Sequence, residues 1–304
     1  MRILVTGGAG FIGSHVVEHH QGKTDIRVLD NLRSGRLANL AGLEHEYIDG
    51  SICDRDAVRA AMQGVDYVFH MAAMISVAES MEKPIECVEI NTTGTLIVLE
   101  EAERAGVKKL CFSSSAAIYG NNPTVPKVET MLAEPMSPYA VSKLDGEFYC
   151  AQFRREGRLA TACMRYFNVF GPRQDPASAY AAAVPIFIHR AMRNETITIY
   201  GDGEQTRDFI YVKDIVAANA HLAENESDAM CYNVAYGGRQ TIRALAERIV
   251  ALTGSTSRIE FADTRAGDVK HSMADVARVS ATGFVPGASF DEGLALTIDA
   301  LKNA

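Results

Sequence analysis

The stretch Ile3-Leu4-Val5-Thr6-Gly7-Gly8-Ala9-Gly10-Phe11-Ile12-Gly13 decides how the rest of the chain is read. Three apolar residues form a short strand, and the glycines after it fit both G-x-G-x-x-G (Gly8, Gly10, Gly13) and G-x-x-G-x-x-G (Gly7, Gly10, Gly13). Glycine lets the backbone turn sharply and come close to a pyrophosphate, which sits at the positive end of the helix that follows. The spacing predicts that helix over Phe11–His20. A glycine pattern alone says little, but a strand before it and a helix after it are the context a dinucleotide-binding turn requires.

Working outward, Ile26-Arg27-Val28-Leu29 reads as a second strand ending in Asp30, where a carboxylate can hydrogen-bond ribose hydroxyls. The same charge repels a 2′-phosphate, so NAD is expected over NADP, a preference that the nearby Arg33 and Arg36 weaken slightly. Further strands are expected at Glu46–Ile48, Asp66–Phe69, Val107–Phe112 and Leu159–Arg165. Between them, helices are expected near Asp54–Met62, Pro84–Ala105 and Pro138–Arg155. Strands alternating with helices predict an α/β fold, a Rossmann-like doubly wound parallel sheet. Ligands in such sheets bind at the carboxyl ends of the strands.

Pro138 suits the first position of a helix, and Ser137 before it can cap the helix. Tyr139 and Lys143 then stand four apart on one face, where an ammonium near a phenol favours the phenolate. That would make Tyr139 a proton acceptor near neutral pH; the plain alternative is a packed tyrosine beside a solvated lysine. His15-Val-Val-Glu18-His19 matches the H-x-x-E-H pattern of some zinc peptidases. No acidic helix offers a third ligand, so no metal is expected.

Composition bounds the remaining classes. The chain has 304 residues, 47% hydrophobic and 22% charged, with a net charge of −8. Without a basic block, nucleic acid is not an expected partner. No apolar run nears the length of a membrane span. The six cysteines are scattered without a C-x-x-C pair, which suits free thiols in a cytoplasmic protein. The N-terminus opens directly into a strand and lacks the features of a signal peptide.

Thr6–Gly13, His70-Met-Ala-Ala73, Asn91-Thr-Thr-Gly-Thr95, Ser113–Gly120 and Tyr139-x-x-x-Lys143 together resemble the extended short-chain dehydrogenase/reductase family. Arg165–Gly171, Gly201-Asp-Gly with Arg207–Asp214, and Arg265 with Asp275 carry the likeness over nearly the whole chain. Within the family it looks most like the nucleotide-sugar 4-epimerases of the UDP-galactose type. The resemblance implies an NAD-binding Rossmann domain over 1–166, with a segment near 209–225 returning to it. A smaller mixed α/β domain over 167–304 would bind the UDP-sugar.

It also implies roles. Tyr139 would take the proton of the sugar 4-hydroxyl, Ser115 would hold the same oxygen, and Lys143 would hold the nicotinamide ribose and lower the Tyr139 pKa. The sugar would pass through a 4-keto form. The cofactor would lie against Gly7, Gly10, Phe11, Ile12, Gly13, Asp30, Asn31, Leu32, Ser34, Gly35, Ser51, Ile52, Met71, Ala72, Ala73, Asn91, Ser113 and Phe167, besides Tyr139 and Lys143. The sugar nucleotide would lie against Ser115, Asn168, Val184, Thr198, Tyr200, Arg207, Arg265, Asp268 and Ser272, with Phe209 beside the base.

Relatives that dehydrate carry an Asp-Glu pair after the Ser/Thr; here Ala116 and Ala117 stand there and cannot transfer protons. Where the family often has Gly-Asp-Ile at the adenine, this chain has Gly50-Ser51-Ile52, so Ser51 could accept a hydrogen bond there or Asp49 could swing in. The small Ser272, with Arg173-Gln174-Asp175-Pro176 and Tyr180, resembles epimerases that accept N-acetyl sugars. The expected activity is interconversion of UDP-glucose and UDP-galactose, and of the N-acetylhexosamine pair. Alternatives are an epimerase preferring UDP-N-acetylglucosamine or UDP-glucuronate, and a nucleotide-sugar oxidoreductase. A homodimer is expected through the helices Pro84–Ala105 and Pro138–Arg155.

Overall fold

A computed structural model describes residues 1–176, 182–226, 229–264 and 270–302. Six strands come first along the chain: β1 (Arg2–Thr6), β2 (Asp25–Asp30), β3 (Glu46–Asp49), β4 (Tyr67–His70), β5 (Lys109–Ser115) and β6 (Ala160–Tyr166). With the strand Cys231–Val234 they form one sheet in the order Cys231–Val234, β6, β5, β4, β1, β2, β3. Every pairing in it is parallel. The order reverses between β1 and β4, which opens a crevice at their carboxyl ends.

Alternation along the strands builds two cores. Ile3 and Val5 of β1 face the helices Phe11–His20 and Val212–Glu224, while Leu4 faces Arg55–Ala61, Gly94–Arg104 and Pro138–Arg155. A third core, with Phe170, Phe187, Ile199, Phe209, Leu245 and Leu294 among its members, supports the substrate side. Ser137 caps its helix by accepting from the Ala140 N–H at 3.1 Å, with Pro138 in the first turn.

Three expectations need correction. The returning segment runs past 225, because Cys231–Val234 pairs with β6 as an edge strand of the main sheet. Arg207–Tyr211 is not one strand but two short ones, Thr206–Arg207 and Ile210–Tyr211, in separate ladders. Asp208, buried between them, turns its carboxylate onto loop N–H groups instead of continuing the ladder. The helix expected over Pro84–Ala105 contains a π turn at Glu89–Thr93, which the periodicity does not reveal.

Candidate active site

The glycine-rich turn leaves no room for side chains. A Cβ on Gly13 would stand 2.2 Å from the Gly7 carbonyl oxygen. The helix Phe11–His20 begins at Gly10 with no side-chain cap, so its first N–H groups point to the crevice unclaimed by a capping side chain. Asp30 closes the edge of this turn: its carboxylate accepts from the Ala9 N–H at 2.9 Å and the Leu32 N–H at 2.8 Å. Burial raises the Asp30 carboxyl above its ordinary value, and those two donors pull it back.

Ser115, Tyr139 and Lys143 meet at the end of β5. The Ser115 hydroxyl lies beside the Tyr139 phenol and caps the turn Ala116–Tyr119 by accepting from the Ala117 N–H at 3.1 Å. Lys143 is buried, and its ammonium donates to the Ser113 carbonyl at 2.7 Å. The helix reaches the strand this closely because Gly146 lies against Phe112, where a Cβ would come within 2.3 Å of the ring. That residue has no signature in the sequence beyond being a glycine in a helix.

The expected lowering of the Tyr139 pKa by Lys143 is not what this geometry gives. The ammonium stands 5.8 Å from the ring centroid, committed to a carbonyl, and burial pushes the phenol up; the Ser115 hydroxyl pulls the other way. Burial also pushes Lys143 down to about 8.

A directional chain of hydrogen bonds ties the crevice together. Thr6 Oγ1 accepts from the Ala72 N–H at 3.3 Å and meets His70 Nδ1 at 2.7 Å, and His70 Nε2 meets Thr95 Oγ1 at 3.0 Å. Thr95 donates to the Asn91 carbonyl at 2.5 Å. These partners require a neutral imidazole protonated at Nε2, and burial holds His70 down to about 3. The Asn91 amide accepts from the Met74 N–H at 2.7 Å and donates to Ser142 Oγ at 2.9 Å. Asn91 therefore spends its side chain on the crevice wall and on the helix of Tyr139 rather than facing a ligand. Ile52 and Phe167 likewise have buried side chains, Ile52 against Gly94 and Phe167 against Tyr119.

Beyond the crevice lies a cavity of about 330 Å³. Asn168, Val184, Thr198, Tyr200, Arg207 and Phe209 line it, five of them residues expected to hold substrate and the sixth the expected neighbour of the base. Phe187, Arg190 and Gln205 line it too, from elements with no motif that marks them. Ser272 is not among the lining residues; its N–H donates to the Thr206 carbonyl at 3.0 Å, next to Arg207. Arg265, Asp268 and Tyr180 lie outside the described residues. Gln174 donates to the carbonyl of Val169, another lining residue, at 3.3 Å, and its own Oε1 is buried with no hydrogen-bond partner among the described residues.

Residues 3–235 match the profile of the NAD dependent epimerase/dehydratase family. The chain belongs to that family. Over 99% of its length it is 40% identical to a UDP-N-acetylglucosamine 4-epimerase of Methanobrevibacter ruminantium, solved with UDP-N-acetylmuramic acid, covering 98% of that chain with a TM-score of 0.96. The UDP-glucose 4-epimerase of Thermotoga maritima, solved with UDP-glucose, is 39% identical over 100% of this chain and 99% of its own, with a TM-score of 0.95. That of Thermus thermophilus, solved with NAD, is 36% identical over the full length of both, with a TM-score of 0.91.

NAD is the cofactor of this epimerase/dehydratase chain, and the crevice fits it: a cradle that any side chain would fill, uncapped helix N–H groups for phosphate, and Asp30 for a ribose. The two arginines that could have favoured NADP are taken. Arg33 bonds Glu79 at 2.9 Å and Glu86 at 2.8 Å, and Arg36 pairs with Asp175. Ser51 Oγ accepts from the Cys53 N–H at 3.1 Å. Among the described residues no group of His, Cys, Asp or Glu could hold a metal, and no helix is long and apolar enough to cross a membrane.

Proposed function

We propose that the protein is a UDP-hexose 4-epimerase that works through a transient 4-keto sugar. The observation that carries this reading is the meeting of Ser115, Tyr139 and Lys143 at the end of β5, with Ala116 and Ala117 where an eliminating enzyme needs acids. NAD, when bound, supplies a hydride acceptor that later gives the hydride back. Tyr139 acts as its phenolate, taking the proton of the sugar 4-hydroxyl as hydride leaves C4, and the phenol so formed returns that proton when the hydride comes back. Ser115 Oγ holds the same oxygen. Lys143, anchored on the Ser113 carbonyl, sets its positive charge beside the reacting groups. The cavity beside Arg207 takes the uridine and its phosphates, whose planar recognition suits a guanidinium.

The substrate range extends to N-acetylhexosamines. An acetamido N–H is a donor, and Oε1 of Gln174, buried and without a partner among the described residues, is an acceptor suited to one. Ser272, a small residue whose backbone bonds that of Thr206 next to Arg207, also supports the wider range. Incubation with UDP-glucose, UDP-galactose, both N-acetyl counterparts and UDP-glucuronate, followed by product separation, tests the reading. Interconversion of both the plain and the N-acetyl pair without added NAD is expected, and Ser272→Tyr should remove the N-acetyl activity selectively. Activity confined to glucuronate, or stoichiometric use of reduced cofactor, defeats it.

The protein works as a homodimer in the cytoplasm. Ile85, Val88, Val141 and Phe148 stand exposed on the helices Pro84–Val88 and Pro138–Arg155, an apolar face suited to a second copy. All six cysteines are free, as a reducing compartment allows.

A further inference from the structure

The H-x-x-E-H run that suggested a metal serves another end. His15 Nε2 donates to the Pro172 carbonyl at 2.9 Å. One oxygen of Glu18 receives Arg173 at 2.9 Å and Lys213 at 2.8 Å, with His15 Nδ1 3.2 Å away. Arg173 also reaches Ser14 Oγ at 3.3 Å. Two residues on, Asp175 pairs with Arg36, whose own N–H donates to the Ala9 carbonyl at 2.9 Å. The segment 172–175 comes from the substrate half, yet it is fastened at one end to the helix opened by the glycine-rich turn and at the other to the chain backing that turn. Arg173 holds a φ of 67°, a left-handed conformation that is strained for a non-glycine residue. Such strain persists only where surrounding contacts impose it.

We propose that residues 172–175 form a cofactor-retaining strap in which Arg173 and Glu18 are positioning residues. Their ion pair ties the helix Phe11–His20, whose first N–H groups face the dinucleotide phosphates, to the substrate half. Release of the dinucleotide then requires the two halves to part at this strap. Retention matters for this chemistry, since the hydride taken from the sugar must come back from the same molecule of cofactor. The inference rests on NAD occupying the glycine-rich turn and goes beyond the epimerase reading, because it concerns how firmly the cofactor is held.

The test compares purified holoenzyme with Glu18→Gln, Arg173→Gly and Asp175→Asn variants, following exchange of bound NAD for a fluorescent NAD analogue. Glu18→Gln and Asp175→Asn cut the strap at opposite ends; Arg173→Gly removes the ion pair while relieving the backbone. Each should speed exchange by about tenfold, with kcat at saturating NAD and KM for the UDP-sugar within about twofold of wild type. Exchange at the wild-type rate in the folded variants overturns the strap, and so does a rise in sugar KM as large as the rise in exchange rate. A wild-type protein that binds no NAD at all overturns the cofactor assignment itself, and the strap with it.

Discussion

The two halves of this molecule hold their backbones by opposite means. On the nucleotide side, His70 is buried as a neutral base, and its ring is satisfied by two threonine hydroxyls. On the substrate side, Asp208 is buried as an acid, and its carboxylate gathers N–H groups from Ala274 at 3.1 Å and Gly237 at 3.2 Å. The first arrangement joins elements of a continuous sheet. The second ties together short pieces that no sheet unites, the strand Thr206–Arg207 and the loops at 236–238 and 274. A regular sheet needs a polar group only to lock its crevice, whereas an irregular domain needs one to exist as a shape.

The largest expected effect falls on the nucleotide side. Tyr139→Phe removes the proton acceptor and should lower kcat by about 10²–10⁴-fold, while binding of UDP-sugar on the other side stays near wild type. Turnover and equilibrium binding of UDP measured on the same preparation would check this. Surviving turnover would show that the phenol is not the acceptor.

Acid should separate the halves more gently. Burial holds His70 down to about 3 and His15 and His19 down to about 4. Between those values and 6.5 the unfolded chain carries protons that the native one lacks, so stability is lost as pH falls. Burial pushes Asp208 up to about 6. There the native state holds the extra proton, so that group's contribution falls as pH rises from about 4 to 6. Moving from pH 7 to pH 5 should therefore weaken amide-exchange protection around Thr6 and His70 more than around Gly237 and Ala274. Parallel loss in both regions would contradict the contrast.

The smallest effect on chemistry concerns the outer face. Phe148→Glu puts a charge into the exposed apolar face of the Tyr139 helix. It should halve the mass seen by sedimentation and change turnover per site by no more than about twofold. A wild type that sediments as a monomer would remove the dimer.

What could be read beforehand follows the same division. The glycine turn, Asp30, Ser115 and the Tyr139–Lys143 pair are local patterns whose spacing states their geometry. Phe187 and Arg190 reach the cavity from one helix and Gln205 from a loop, and nothing in their immediate sequence marks them. Asp208 looked like one residue of a longer strand, because its partners lie 29 and 66 residues away. Asn91 is expected against the cofactor, yet its partners make it a brace between the crevice wall and the helix of Tyr139. The effect of Lys143 on Tyr139 failed for another reason: helical spacing fixes that two residues share a face, not where an ammonium finds its acceptor.

The π turn at Glu89–Thr93 carries a last consequence. An added residue shifts the phase of everything before it by about 100° relative to everything after. That offset lets Ile85 and Val88 look outward while Asn91 reaches inward to Ser142. Deleting one residue there would straighten the helix, yet it would force a choice between the exposed apolar face of Ile85 and Val88 and the brace that ties this helix to that of Tyr139.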